Sequence, residues 1–225
     1  MRLYKFLGDT KGNPTHGTGA WDMPKHGEPG AWRSEKGPLA LCESGTLHYC
    51  EPDQIVHWIG PVLVEVEVRG ETLREANKCG ALEMRILRVV TSWDVQIQRA
   101  FAVWCAYGTL LAQRAAGVEP HPTCWAAVAV AHRCAQGEQI SASEFVQASR
   151  DAWASKWKKT DAATERYMSV AAAETSSSAA TKLPAWVAAS SAAAGAEWFA
   201  KQVRGVSIRA VQSRQILLFC GEVST

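Results

Sequence analysis

The stretch Leu41 to Gly70, LCESGTLHYCEPDQIVHWIGPVLVEVEVRG, holds a dense group of side chains able to do acid–base, nucleophilic or metal chemistry, among them Cys42, His48, Tyr49, Cys50, His57, Glu65 and Glu67. Thiolate and neutral imidazole are zinc ligands, so Cys42, His48, Cys50 and His57 form one candidate set. Their spacing has no CxxC or HxxxH knuckle, and no metal is expected. Cys42, Cys50 or Cys79 beside His48 or His57 would be the parts of a thiol nucleophile. Glu65 and Glu67 share one face of a strand, about 7 Å apart, a spacing open to paired-carboxylate chemistry. A solvated strand face is the plainer reading of the same pair. Arg85, Arg88, Lys156, Lys158 and Lys159, the last three beside Trp153 and Trp157, are the material for a phosphate-binding patch. A helix end with basic residues complementing its dipole accounts for SKWKK equally simply.

The elements that must hold these residues can be read from periodicity. MRLYKFL predicts a first strand with Leu3, Lys5 and Leu7 on one face and Tyr4 and Phe6 on the other. Gly8 to Pro38 is crowded with glycine and proline and predicts a long ordered loop pinned by Trp21 and Trp32. A strand over Thr46 to Cys50 follows the Ser44-Gly45 turn. Pro52 and Asp53 open a short helix whose face is Ile55, Trp58 and Ile59. Val62 to Val68 alternates: Val62, Val64, Val66 and Val68 on one side, Leu63, Glu65, Glu67 and Arg69 on the other. Gly70-Glu71 is read as a turn, and Leu82 to Val90 as another strand.

From Ser92 onward the pattern is helical and rich in alanine. Helices are predicted over Trp93 to Ala116, Thr123 to Gln136, Ser141 to about Lys159, Asp161 to Ala180, Pro184 to Arg204 and Ser207 to Cys220. Ser141 and Glu144 have capping-box spacing, and Gly221 stops the last helix. The reading is an α+β N-terminal domain over residues 1–91, with a small twisted, mainly antiparallel sheet. An all-α helical bundle domain over 92–225, rich in alanine and tryptophan, follows it.

A net charge of +2 is too balanced to argue by itself for a nucleic-acid or membrane partner. No run approaches the ~18–20 apolar residues of a membrane-spanning helix. Seven cysteines at irregular spacing suit buried free thiols, which points to a cytoplasmic protein.

Two families resemble the N-terminal half. One is an uncharacterised family of actinobacteria and their phages, covering about ninety residues. Its elements correspond here to Tyr4-Lys5-Phe6, Cys42, Gly45 with Leu47-His48-Tyr49-Cys50, Trp58, and Val64-Glu65-Val66-Glu67-Val68-Arg69-Gly70-Glu71. Thr46 is one residue more than that pattern, and Tyr49 stands where it has a small residue. The other is the ADP-ribosyltransferase superfamily, which is similar in order over Gly45 to Cys50, Asp53 to Ile59 and Leu63 to Gly70. That resemblance implies an NAD cleft. Its first-strand position falls near Tyr4 or Lys5, neither of the usual type. His48 or Tyr49 would serve the second strand, and Glu65, Glu67 or Glu83 the acidic position. The loop Gly8 to Pro38 would border the cleft.

The functional expectation is a phage or prophage accessory protein that acts through protein contacts of its helical half, in the host cytoplasm. The alternatives are an ADP-ribosyltransferase-like NAD-binding protein, with His48, Tyr49, Glu65 and Glu67 as its site, and a nucleic-acid-binding protein. The contact reading expects an exposed apolar patch with Trp153, Trp186 or Trp198.

Overall fold

The computed structural model describes residues 1–15, 17–41, 45–155, 173, 176–177, 179–180 and 183–223. Two compact units emerge, one from Met1–Asp94 with Arg209–Thr225, the other from Val95–Ile208.

In the first unit, strands β1 (Leu3–Leu7), β2 (Arg33–Ser34), β3 (Leu47–Tyr49), β4 (Val62–Arg74) and β5 (Cys79–Val89) form one antiparallel sheet. β4 is central between β1 and β5, pairing Lys5 with Val64 and Val68 with Met84. The far edge of β5 carries β3 and β2. Cys50, just past β3, exchanges two backbone hydrogen bonds with Tyr4 of β1, at 2.8 and 2.7 Å. That bridge closes β1–β4–β5–β3 into a ring and occupies edges that would otherwise be open.

Alternation puts the valines of β4 where period 2 predicts. Val64 and Val66 are buried with Leu7, Trp21, Leu47, Tyr49, Met84 and Ile86, and Val62, Val68 and Leu3 pack against that cluster. The strand is longer than its alternating stretch. Gly70-Glu71 does not turn the chain; β4 runs on to Arg74 through a register shift between Arg69 and Thr72. Gly70, at φ +80°, supplies the left-handed residue that such a bulge uses.

The long loop is ordered by its backbone. Trp21 N–H donates to the Gly12 carbonyl at 2.9 Å, Gly30 N–H to the Ile86 carbonyl at 2.9 Å, and the Asp22 carboxylate accepts from Ala31 N–H at 2.9 Å. Trp21 is buried, while Trp32 lies under the guanidinium groups of Arg69 and Arg85, at 4.3 and 4.8 Å. The expected short helix is a single 3-10 turn, Ile55–Trp58, because Ile59-Gly60-Pro61 ends it before an α-turn can propagate.

Helices α1 (Val95–Ala115), α2 (Pro122–Ala135), α3 (Ala142–Ser155) and α4 (Ala185–Arg204) belong to the second unit. α1 packs on α2 and α4, and α2 on α3. Pro122, read as part of a breaking link, is the first helical residue of α2; His121 caps it by accepting the Thr123 N–H on its Nδ1 at 3.3 Å. Ser141 Oγ accepts the Glu144 N–H at 3.1 Å, as the cap spacing predicts. The predicted helix over Asp161 to Ala180 is described only at residues 173, 176–177 and 179–180, while the end of α3 toward Lys159, with Lys156, Lys158 and Lys159, lies outside the described residues.

The last helix, α5 (Arg209–Phe219), joins the sheet unit, where the sequence reading had all of 92–225 in one helical domain. Ser213 Oγ donates to the Asp53 carbonyl at 2.9 Å and accepts the Val56 N–H at 3.2 Å. Ile216 and Leu217 are buried. Beyond the helix, Glu222 receives Arg2 at 2.7 Å and Arg88 at 2.5 Å. The sheet therefore owns a helix from the opposite end of the chain, and helices and strands mix within one unit.

Candidate functional site

Lys5 is the residue from which the site is built. On β1 it shares a face with Leu3 and Leu7, and that face packs on the apolar cluster inside the ring. The strand thus carries its ammonium inward. Lys5 Nζ donates to the His48 carbonyl at 2.7 Å and sits 5.3 Å from the centre of the Trp21 ring. The Arg33 guanidinium lies 5.1 Å from the same ring and is itself paired with Glu35 at 2.7 Å. Among the described residues no carboxylate pairs with Lys5. Burial pushes its ammonium down to about 8; the Cys50 thiol opposes this slightly, and Arg33 adds to it.

Around Lys5 is a cavity of about 240 Å³. β1 contributes Lys5 and Phe6, the loop after it Thr15, and the β3 region His48, Tyr49 and Cys50. The 3-10 turn gives Trp58, and the tight loop between β4 and β5 gives Lys78. Lys78 is only 7% exposed, and its Nζ lies 5.7 Å from the Trp58 ring. Trp58 Nε1 donates to the Asn77 carbonyl at 2.6 Å, which fixes the ring beside the loop. His48 is pushed below the usual imidazole range by burial, then by Lys5 and Lys78, with Glu75 pulling the other way. Its ring is therefore neutral near pH 7.

The acidic partners of the expected site are engaged elsewhere. Val64 and Val66 face the core, so Glu65 and Glu67 occupy the other face of β4. Glu65 pairs with Arg88 at 2.7 Å and with Arg2 at 3.9 Å; Glu67 pairs with Arg85 at 2.6 Å. Glu83 pairs with Arg69. None of the three lines the cavity. His48 and Tyr49 are brought to one cavity, and Thr15 is the contribution of the long loop. Tyr49 also sits in the apolar cluster, where burial pushes its phenol up to about 12.

The thiols take the protonated side of the nucleophile question. Burial pushes Cys50 up to about 12 and raises Cys79 as well, whereas an attacking thiolate needs a depressed value. Cys42 lies outside the described residues. His57 is exposed on the 3-10 turn. Among the described residues no group of three or more His, Cys, Asp or Glu side chains is placed to hold a metal ion.

The sequence reading set Lys5 aside and did not select Lys78 or Thr15. Lys5 had a partial signal, a single cation between Leu3 and Leu7 in an otherwise apolar strand whose other face, Tyr4 and Phe6, is buried too. Lys78 had none, because its burial comes from long-range packing of a hairpin loop. Chemically, two ammonium groups, a hydroxyl, a neutral imidazole and an indole wall form a small cavity suited to an anion with a flat or apolar body.

In the second unit, Tyr107 and Leu111 are 48% and 42% exposed, one turn apart on α1. Tyr107 meets the Trp125 ring edge-on at 5.7 Å, and Arg114 lies 4.7 Å from it. Trp153 is 44% exposed, while Trp186 and Trp198 are partly covered. No helix among the described residues is long and apolar enough to cross a membrane. Compared with protein-family models, curated proteins and solved structures, the chain matches none of them.

Proposed function

We propose that the protein is a non-catalytic accessory factor, of the phage or prophage kind its N-terminal resemblance implies. In this reading the sheet unit binds a small anion and the helical unit contacts a protein partner. The observation that carries it is the cavity at Lys5. One ammonium without a carboxylate partner among the described residues and a second, buried one line the same small space. Holding the Lys5 charge inside the ring without a carboxylate is costly, and a bound anion would offset that cost. The pairing of Glu65 and Glu67 with arginines supports a site without an acidic catalyst.

The NAD reading draws on His48 and Tyr49 sharing that cavity. At about 240 Å³ the space is below the ~300–1,000 Å³ of pockets for drug-sized ligands. It suits one phosphate or one carboxylate compound better than a whole dinucleotide. Calorimetric titration with phosphate, benzoate and NAD tests both readings. The small anions should bind the native chain and lose most of their affinity in Lys78→Met, with the circular dichroism spectrum unchanged. Failure of both small anions to bind at tens of millimolar would remove the reading. NAD binding tighter than either would favour the dinucleotide.

Protein contact is assigned to the ridge of Tyr107, Leu111, Trp125 and Arg114, since tyrosine, tryptophan and arginine are enriched at contact surfaces. A photo-crosslinking amino acid placed at Tyr107 should give one discrete adduct in producing cells, and one placed at Gln147 on α3 should not. Equal, diffuse labelling from both positions would count against the ridge.

A further inference from the structure

Lys5 is placed for more than charge complementarity. It lines the cavity, its nitrogen is held by one hydrogen bond to the His48 carbonyl, and among the described residues no carboxylate pairs with it. A lysine retained only to bind anions would serve better fully charged and open to water. This one faces inward between Leu3 and Leu7, against Trp21, with Arg33 on the same ring. An apolar surround and a neighbouring cation are the two circumstances that make a lysine amine nucleophilic.

We propose that Lys5 captures a small anionic carbonyl compound, of the 2-oxo acid class, as a reversible imine, with Lys78 holding its carboxylate. This rests on the anion-site reading of the cavity. The neutral amine nitrogen attacks the carbonyl carbon while one N–H stays with the His48 carbonyl. The C–N bond forms as the carbonyl π pair goes to oxygen, which takes up one of the two amine protons. That hydroxyl leaves as water by taking up the second amine proton, and the nitrogen lone pair closes the C=N bond of the imine. No oxidant or reductant enters, and hydrolysis reverses the capture.

Among the described residues, the charged and titratable groups at or beside this cavity, besides Lys5, include Arg33, Lys78, Glu75, His48, Cys50 and Tyr49, whose phenol is pushed up to about 12 by burial. Burial holds the His48 imidazole below its usual range and the Cys50 thiol above its own, so both are neutral near pH 7. An amine at about 8 instead of 10.5 has, near pH 7, about two orders of magnitude more neutral form than an ordinary lysine. Lys5 and Lys78 line the same cavity, so an amine on one side faces a second cationic side chain on the other.

The full chain is incubated with pyruvate at pH 7.5, reduced with borohydride, and digested with trypsin for mass spectrometry. The expected result is one reduced pyruvate adduct, located at Lys5 by loss of cleavage after that residue. Labelling of Lys5 should exceed the mean of the other lysines by about tenfold or more, in keeping with its larger neutral fraction. Phosphate should compete, and Lys5→Arg should abolish the adduct. The native chain alone decides the matter if that variant does not fold. Labelling spread evenly over lysines and the N-terminus, or none at Lys5 while phosphate still binds by calorimetry, overturns the imine and leaves the anion site standing. Failure of phosphate and pyruvate alike to bind removes both.

Discussion

At the residue scale, Lys5 trades stability for its position. Its ammonium is easier to hold in the unfolded chain than inside the ring, so the folded state binds fewer protons wherever the two forms differ. The window runs from about 8, the folded value, to 10.5, the ordinary one. Below it both states are protonated and the full penalty applies. As pH rises through it the unfolded chain still carries the proton, so Lys5's penalty is relieved. Lys5→Met should therefore raise stability at pH 7, by at most about 3 kcal/mol on linkage arithmetic, and the gain should shrink toward pH 10. Urea unfolding of both proteins across that range measures it. The difference between the curves isolates Lys5 from Tyr4, Tyr49 and Cys50, whose raised values act in the opposite direction. A variant no more stable than the native chain at pH 7 would show that the ammonium is well solvated. Glu222 gives the converse case. Burial would raise its carboxyl, but Arg88 and Arg2 outweigh burial and hold it below the usual range. Its contribution is present above the ordinary carboxylate value and is lost as pH falls through the folded one. Glu222→Gln should cost about 1–2 kcal/mol at pH 7, and the loss should close in acid.

At the element scale, β4 departs most from its alternating pattern. Its first half follows the valines. Its second half passes the Gly70 bulge before pairing Thr72, Leu73 and Arg74 with Ala81, Gly80 and Cys79. Beyond the bulge the strand leads into the hairpin loop that carries Lys78, whose Nζ lies 5.7 Å from the Trp58 ring. Gly70→Val should destabilise the sheet unit by about 1–2 kcal/mol, because a β-branched residue resists φ near +80°. It should also weaken anion binding by displacing Lys78, where Gly70→Asn, a residue tolerant of that conformation, should spare both. Thermal unfolding with calorimetry on the two variants separates backbone strain from mere loss of a glycine. Equal behaviour of the two would remove the strain argument.

At the scale of the whole molecule, the sheet unit is discontinuous in sequence. β1 and the 3-10 turn depend on groups more than two hundred and more than one hundred and fifty residues away, through Arg2–Glu222 and Ser213–Val56. A chain ending after Ile208 should lose protection from hydrogen exchange in β1 and Ile55–Trp58 first. It would expose the apolar surface that Ile216 and Leu217 cover, each worth about 1.5–3 kcal/mol when buried. Unchanged exchange there would mean that α5 decorates the sheet without supporting it. The tail bears on the cavity as well as on stability, because Trp58 sits on the turn that Ser213 holds.

The alternation of Val62 to Val68, the Ser141 cap, the helices from Val95 to Ala135 and the stop at Gly221 were legible in the sequence. Each is set by neighbours within a few residues: a period of two, a side chain reaching the third amide beyond it, a glycine free to take positive φ. Alternation also placed Lys5 on one face with Leu3 and Leu7, but Tyr4 and Phe6 on the other face are buried as well, so the cavity at Lys5 was not legible. Only the tertiary structure decided that Glu65 and Glu67 meet arginines of β5. Strand register is a property of two segments, and a bulge shifts it by one residue. The same holds for Lys78, which is buried by a hairpin loop folding back on Trp58, and for α5, whose helical pattern carries no address. A helix reads as helix from local period alone, but the surface it covers is chosen by which apolar face is left open when the rest of the chain has packed.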